Sequence, residues 1–215
     1  MVAHIRYRMV VNLEQDVASS GRTQTGRPAR RRLSADDWAT AALTAIGEGG
    51  LAALAVEPLA VRLGTTKGSF YWHFSNRQAL IEAALRLWEE GHTEAIIAAL
   101  DSEPDAEARL RKLFALVVGA SRDDMIEVAL LASADDPLVA PVMRRVTERR
   151  VQYVASQYEE LGLVQAEARS WALLAVGVYL GHLQFAHAAS GVLPAEPETW
   201  QQHLDQMLTV LVPQR

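Results

Sequence analysis

The clearest hydrophobic pattern in the chain lies between Ala55 and Leu80, where apolar positions recur at helical spacing on either side of a glycine. Val56, Leu59, Ala60 and Leu63 fall at i, i+3, i+4 and i+7, one face of a short helix, and Gly64 supplies a turn residue to stop it. A second short helix is predicted from about Thr65, with Phe70 and Phe74 pointing inward against Leu59 and Leu63. Its outward face is left to Thr66, Lys67, Ser69, Tyr71 and His73. Ser75 followed by Gln78 reads as a capping box that opens the next helix.

The same periodicity continues on both sides. Before this stretch, Ser34 caps a helix with Trp38, Ala41, Ala42, Ala45 and Ile46 as its buried stripe, Asp36 and Asp37 in its first turn, and Gly49-Gly50 at its end. After it, one long helix carries Ile81, Ala84, Leu85, Trp88, His92, Ala95, Ile96 and Ala99, continuous across Gly91, until Pro104 interrupts. Further helices follow: one with Ala106, Leu110, Leu113, Phe114 and Val117, a short one over 124–132, and one from about Pro137 to Leu161, ended by Gly162. On that last helix Val139, Val142, Met143, Val146, Tyr153, Val154 and Leu161 share a face that Arg150 and Gln157 interrupt. No segment reads as a strand, so the fold class is all-α.

Residues 171–189 contain no charged side chain, which raises membrane insertion. His182, Gln184 and His187 lie inside the segment and no basic flank borders it, so a helix buried on two sides is the better reading. Trp171, Ala175, Val178, His182 and Phe185 point one way. Leu173, Gly177, Leu180, Gly181, Gln184 and Ala188 form a flat opposite face that lets another backbone approach. The final helix, after Pro197, repeats the stripe with Trp200, Leu204, Met207, Leu208 and Leu211.

At the Gly64–Arg77 run, GTTKGSFYWHFSNR, the chain resembles the helix-turn-helix of the TetR family of transcriptional regulators. The resemblance is specific over roughly residues 34–80 and is one of helix order and length beyond. It implies DNA contacts from Tyr71, His73 and Arg77, an all-helical ligand-sensing second domain and a homodimer. The family often places Ser or Thr as N-cap where this chain has Ala55, and Pro58 follows soon after; proline is tolerated in a first turn. The expected organisation is a basic arm (1–33), a three-helix helix-turn-helix DNA-binding domain (34–80) and a helical regulatory, ligand-binding and dimerisation domain (81–215).

Charge supports that division. The whole chain carries a formal −5, yet residues 21–80 hold eight Lys/Arg against four Asp/Glu while residues 92–215 hold ten against seventeen. The front suits phosphate. Arg27, Arg30, Arg31 and Arg32 precede the first helix in GRPARRR, an arm able to lay arginine into a minor groove beside a reading head. Base-edge contacts are expected from Thr66, Lys67 and Tyr71, with Gly68 allowing close backbone approach. Phosphate contacts are expected from Ser69, Trp72, His73 and Arg77. Residues 1–25 read as a loose tail in which Met9 is a second candidate start.

In the rear domain His92, Arg150, Tyr153, Gln157 and His182 are the polar exceptions on converging apolar stripes, the composition of a small-molecule pocket. Enzyme chemistry has little to stand on. His182 and His187 diverge by about 140° on a helix, and no nucleophile elbow or phosphate loop appears. The acid pairs Asp123-Asp124 and Asp135-Asp136 suit helix ends and turns. No catalytic residue, metal or cofactor is expected. The absence of cysteine fits a reducing cytoplasm. The expected partners are a double-stranded operator, a small-molecule effector and a second copy of the chain, with no membrane. The rival reading is a sequence-independent DNA-packaging protein, against which the large acidic rear domain speaks.

Overall fold

The computed structural model describes residues 33–212, and among them every regular element is helical. The basic arm, Arg27, Arg30 and Arg31 included, lies outside the described residues. The elements are α1 (Ala35–Gly49), α2 (Val56–Arg62), α3 (Lys67–Phe70), α4 (Arg77–Glu89), a π-helical turn (Glu90–Glu94), α5 (Ala95–Leu100), α6 (Ala106–Ala120), α7 (Met125–Leu131), α8 (Val139–Glu160), α9 (Gln165–Ala188) and α10 (Pro197–Leu211). Among the described residues no helix is long and apolar enough to cross a membrane.

The helices divide into two compact units. One holds the described residues up to His92 together with Met125–Ala140; the other holds Thr93–Asp124 and the chain from Pro141 onward. In the first unit α1 begins at a full capping box: Ser34 Oγ accepts from the Asp37 N–H, and the Asp37 carboxylate accepts from the Ser34 N–H at 2.7 Å. It ends at Gly50, whose φ of +71° is a conformation that L side chains rarely adopt. Beyond the predicted stripe, Ala39 and Leu43 are buried too, because α1 packs against both α4 and α7. A Cβ placed on Gly47 would stand 3.1 Å from Ile126 Cγ1, so α7 lies close on this side of α1.

Two junctions differ from the sequence reading. The N-cap of α4 is Asn76, not Ser75: its Oδ1 accepts from the Ala79 N–H at 2.9 Å, while the Gln78 side chain donates to Glu82. The long helix is also not continuously α. It runs α to Glu89, π over Glu90–Glu94 and α again to Leu100. A π turn takes one extra residue, so the buried position after Trp88 is Thr93 and not His92, which is half-buried.

The second unit packs α6, α8, α9 and α10 around Leu110, Phe114, Val151, Val154, Tyr158, Ala172, Leu204 and Leu211. Tyr158 is fully buried and its hydroxyl donates to the Leu211 carbonyl at 2.6 Å, tying α8 to the end of α10. Burial pushes that phenol well above its usual range. Gly162, at φ +100°, closes α8, and Pro197 sits in the first turn of α10.

Candidate nucleic-acid interface

The outward face of α3 stands on an aromatic peg. Phe70 is fully buried, edge-on to Trp38 of α1 at 5.5 Å between centroids and stacked on Phe74 at 5.6 Å. These contacts hold a helix of four residues that could not persist alone. Gly64, at φ +62°, makes the turn that delivers α3 from α2.

Around the peg, Thr66, Lys67, Gly68, Tyr71, Trp72 and His73 are exposed and Ser69 is half-buried, so the predicted reading residues share one solvent-facing region. Trp72 is 88% exposed and Tyr71 57%, far more than large aromatics usually leave in water. Tyr71 leans edge-on against Phe70 at 5.1 Å, which limits where its hydroxyl can reach. Thr66 occupies the N-cap position of α3 without a side-chain capping bond.

Two cations are already engaged. Lys67 Nζ lies 2.7 Å from Glu57 Oε1 on α2, and this contact raises the lysine pKa and lowers that of the glutamate. Arg77 donates from Nε to the Leu54 carbonyl at 2.7 Å and from its second guanidinium nitrogen to the Leu51 carbonyl. Its guanidinium thus clamps the segment between α1 and α2. Neither partner was legible from spacing alone, although Glu57 in the first turn of α2 was the nearest acid before Lys67 in the sequence.

The five candidate ligand residues fall into separate settings. His92 ends the first unit and packs its ring against Trp88 at 6.0 Å, whereas Arg150, Tyr153, Gln157 and His182 belong to the second. Arg150 Nε donates to Thr93 Oγ1 at 3.3 Å, and its guanidinium lies 5.6 Å from the Tyr179 ring. One turn along α8, Tyr153 is 9% exposed and its hydroxyl has no hydrogen-bond partner among the described residues. Burial raises its pKa. Gln157 accepts from Arg109 at 2.6 Å, and Arg109 also pairs with Glu160. His182 instead meets His203 of α10, a partner absent from the sequence reading even though His203 lies three residues past Trp200 on the buried stripe. The acid pair at the α7–α8 turn has a structural use: Asp136 Oδ1 accepts from the Leu138 N–H at 2.8 Å.

Residues 40–90 match the family model for bacterial regulatory proteins of the tetR family. The tetracycline repressor protein class A from transposon 1721 of Escherichia coli is 40% identical over 57 residues, a stretch covering 26% of this chain and 26% of that repressor. Solved structures share the fold over most of the chain. A transcriptional regulator from Rhodococcus sp. Rha1 superposes with a TM-score of 0.65 at 22% identity, over 83% of this chain and 96% of its own. The multidrug binding protein EbrR complexed with malachite green gives 0.59 at 23% identity, over 87% and 100%. A TetR transcriptional regulator from Legionella pneumophila gives 0.66 at 12%, over 86% and 100%. The helix-turn-helix built on Phe70 and Phe74 lies within the stretch that matches the tetR family model, and the fold around it is shared with these solved structures.

Proposed function

We propose that this regulator is a cytoplasmic repressor that binds a palindromic operator as a two-fold homodimer and leaves it when a small molecule binds the rear helices. The observation that carries the reading is the exposed cluster of Lys67, Tyr71, Trp72 and His73 around a buried aromatic peg. Such a surface is wasted in water and suits a major groove about 12 Å wide. Thr66, Lys67 and Tyr71 read base edges, Gly68 lets the backbone approach, and Ser69, Trp72, His73 and Arg77 hold phosphates or the elements that meet them. Arg27, Arg30 and Arg31 add minor-groove or phosphate contacts. One head of this size spans too few base pairs for specificity, so two heads read half-sites about 34–36 Å apart.

The dimer uses the flat face of α9 with part of α10, packed across the two-fold axis as a four-helix bundle. Leu173 and Leu174 are more than half exposed, and a Cβ built on Gly177 or Gly181 would meet nothing within 4 Å. That face has room for a second backbone.

For the effector, the proposed contacts are those of the second unit, Arg150, Tyr153, Gln157 and His182. The buried Tyr153 hydroxyl supports this, since an unmatched polar group in a core costs about 1–3 kcal/mol unless something satisfies it. The names of two relatives, a tetracycline repressor and a multidrug binding protein, are consistent with a small organic ligand. Release needs only the usual coupling of about 1–3 kcal/mol between sites, carried by the helix from Arg77 to Leu100. By linkage the effector binds free protein more tightly than operator-bound protein.

The test is to select the preferred operator from random duplexes, find compounds that raise the melting temperature, and titrate each against the complex. The reading expects at least one compound to release the operator, with Arg150→Ala or Tyr153→Phe weakening its effect. A ligand that stabilises the protein, leaves operator affinity untouched and binds both variants normally would contradict the effector half. A packaging role remains the second reading, and it requires the absence of any preferred duplex.

A further inference from the structure

His182 stands apart from the other proposed effector contacts, because both of its ring nitrogens are already engaged. Its Nδ1 lies 2.7 Å from the Val178 carbonyl, which can only accept, so Nδ1 carries the proton. In the neutral ring Nε2 then bears a lone pair, and it faces His203 Nε2 at 2.7 Å, with the two ring centroids 5.1 Å apart. Trp200 packs against both rings, at 6.4 Å from His182 and 5.8 Å from His203. The two imidazoles thus face each other from α9 and α10, with Trp200 of α10 packed against both.

We propose that His182 and His203 form a two-histidine site for a borderline first-row divalent ion, of the Zn²⁺, Ni²⁺ or Co²⁺ type, which bridges α9 and α10. Zinc binds imidazole nitrogen at about 2.0–2.1 Å, so a tetrahedral ion holds two such nitrogens about 3.3 Å apart and their ring centroids about 5.2 Å apart. The centroids already stand at that separation. Only the ring planes have to tilt, opening the head-on contact between the nitrogens by about half an ångström to admit the ion.

The protons balance without loss. His203 presently donates from Nε2; on binding, that proton moves to its Nδ1 through solvent and Nε2 coordinates. His182 keeps its Nδ1–H on Val178, the outer hydrogen bond that orients most metal-bound histidines. The opposing charge is Arg122, whose guanidinium lies 4.6 Å from the Trp200 ring and donates to the Pro194 carbonyl. That tether holds its cation on the indole.

Imidazole nitrogen selects such ions over Mg²⁺ and Ca²⁺, which take oxygen. Among the described residues no group of three or more His, Cys, Asp or Glu is placed to hold a metal, so the remaining coordination positions belong to water or a small ligand.

The experiment uses the full chain, stripped with a chelator. Co²⁺ is titrated while its visible absorption is followed, and Zn²⁺ by calorimetry, with Mg²⁺ as control. The expected result is one Co²⁺ or Zn²⁺ per chain, no Mg²⁺, and at least a tenfold loss of affinity in both His182→Gln and His203→Gln. Should either variant fail to fold, ¹⁵N spectra of the wild-type histidine rings decide: Zn²⁺ must shift the Nε2 signals of both. No binding by the wild type, unchanged affinity in either folded variant, or wild-type ring signals that Zn²⁺ leaves in place would each overturn the site.

Discussion

Lys67 has two claims on its charge and one ammonium to meet them. In the free chain it is held by Glu57 at 2.7 Å; the base-edge contact proposed for it would require it to leave that carboxylate. Because Lys67 lowers the Glu57 pKa below 4.5, the glutamate stays ionised at neutral pH. Its contribution to the folded state is present above that value and is lost only as the pH falls through the lowered folded pKa. On the proposed reading the pair therefore competes with DNA across the physiological range. Glu57→Gln is expected to tighten operator binding about threefold, a surface pair being worth little, whereas Lys67→Ala shifts the preferred sequence. Equal or weaker binding by Glu57→Gln in a filter or fluorescence titration would contradict the competition. Arg77 is the converse case. Its resemblance to a family DNA contact was legible, but its clamp on the Leu51 and Leu54 carbonyls was not, since backbone acceptors leave no mark on residue spacing. Arg77→Ala should lower the stability of the fold by about 1 kcal/mol and weaken all duplexes alike, with the salt dependence of binding little changed. Unaltered urea stability with a salt slope reduced by about one would make it a phosphate ligand instead.

Helices are fixed by many residues and their ends by few, so a stripe is legible in a sequence where a cap is not. The stripes on α1, α6 and α10 were all readable because each repeats over several turns. The cap of α4 depended on a choice between adjacent Ser75 and Asn76, both good N-caps, and Asn76 takes the position. Asn76→Ala should cost about 1 kcal/mol in urea unfolding and Ser75→Ala less than half of that. The reverse order would restore the sequence reading. At Glu90–Glu94 the pattern gave no warning of a π turn, because the α-helical spacing of four from Trp88 falls on His92, and Thr93, at five, reaches that face only once the π turn has formed. The front unit shows the same limit at larger range: α7 joins it through Ile126 against Gly47, a contact between segments far apart in sequence.

At the scale of the molecule, the account divides labour between an electropositive front and an acidic helical rear. Leu173 and Leu174 leave α9 with an exposed apolar face, and in the proposed dimer Gly181→Arg should give monomers in light scattering. A dimer of unchanged mass would move the interface to another surface. Fold class and the helix-turn-helix were legible because they rest on local periodicity and one dense motif; the effector contacts were not, because stripes converge only in three dimensions. The central claim is sequence-specific recognition by paired heads. Its most direct test is the affinity of the full chain for its selected operator against a scrambled duplex of equal length, in the same salt. The account predicts a ratio of at least about 10³, with two chains per operator. A ratio near one would contradict it.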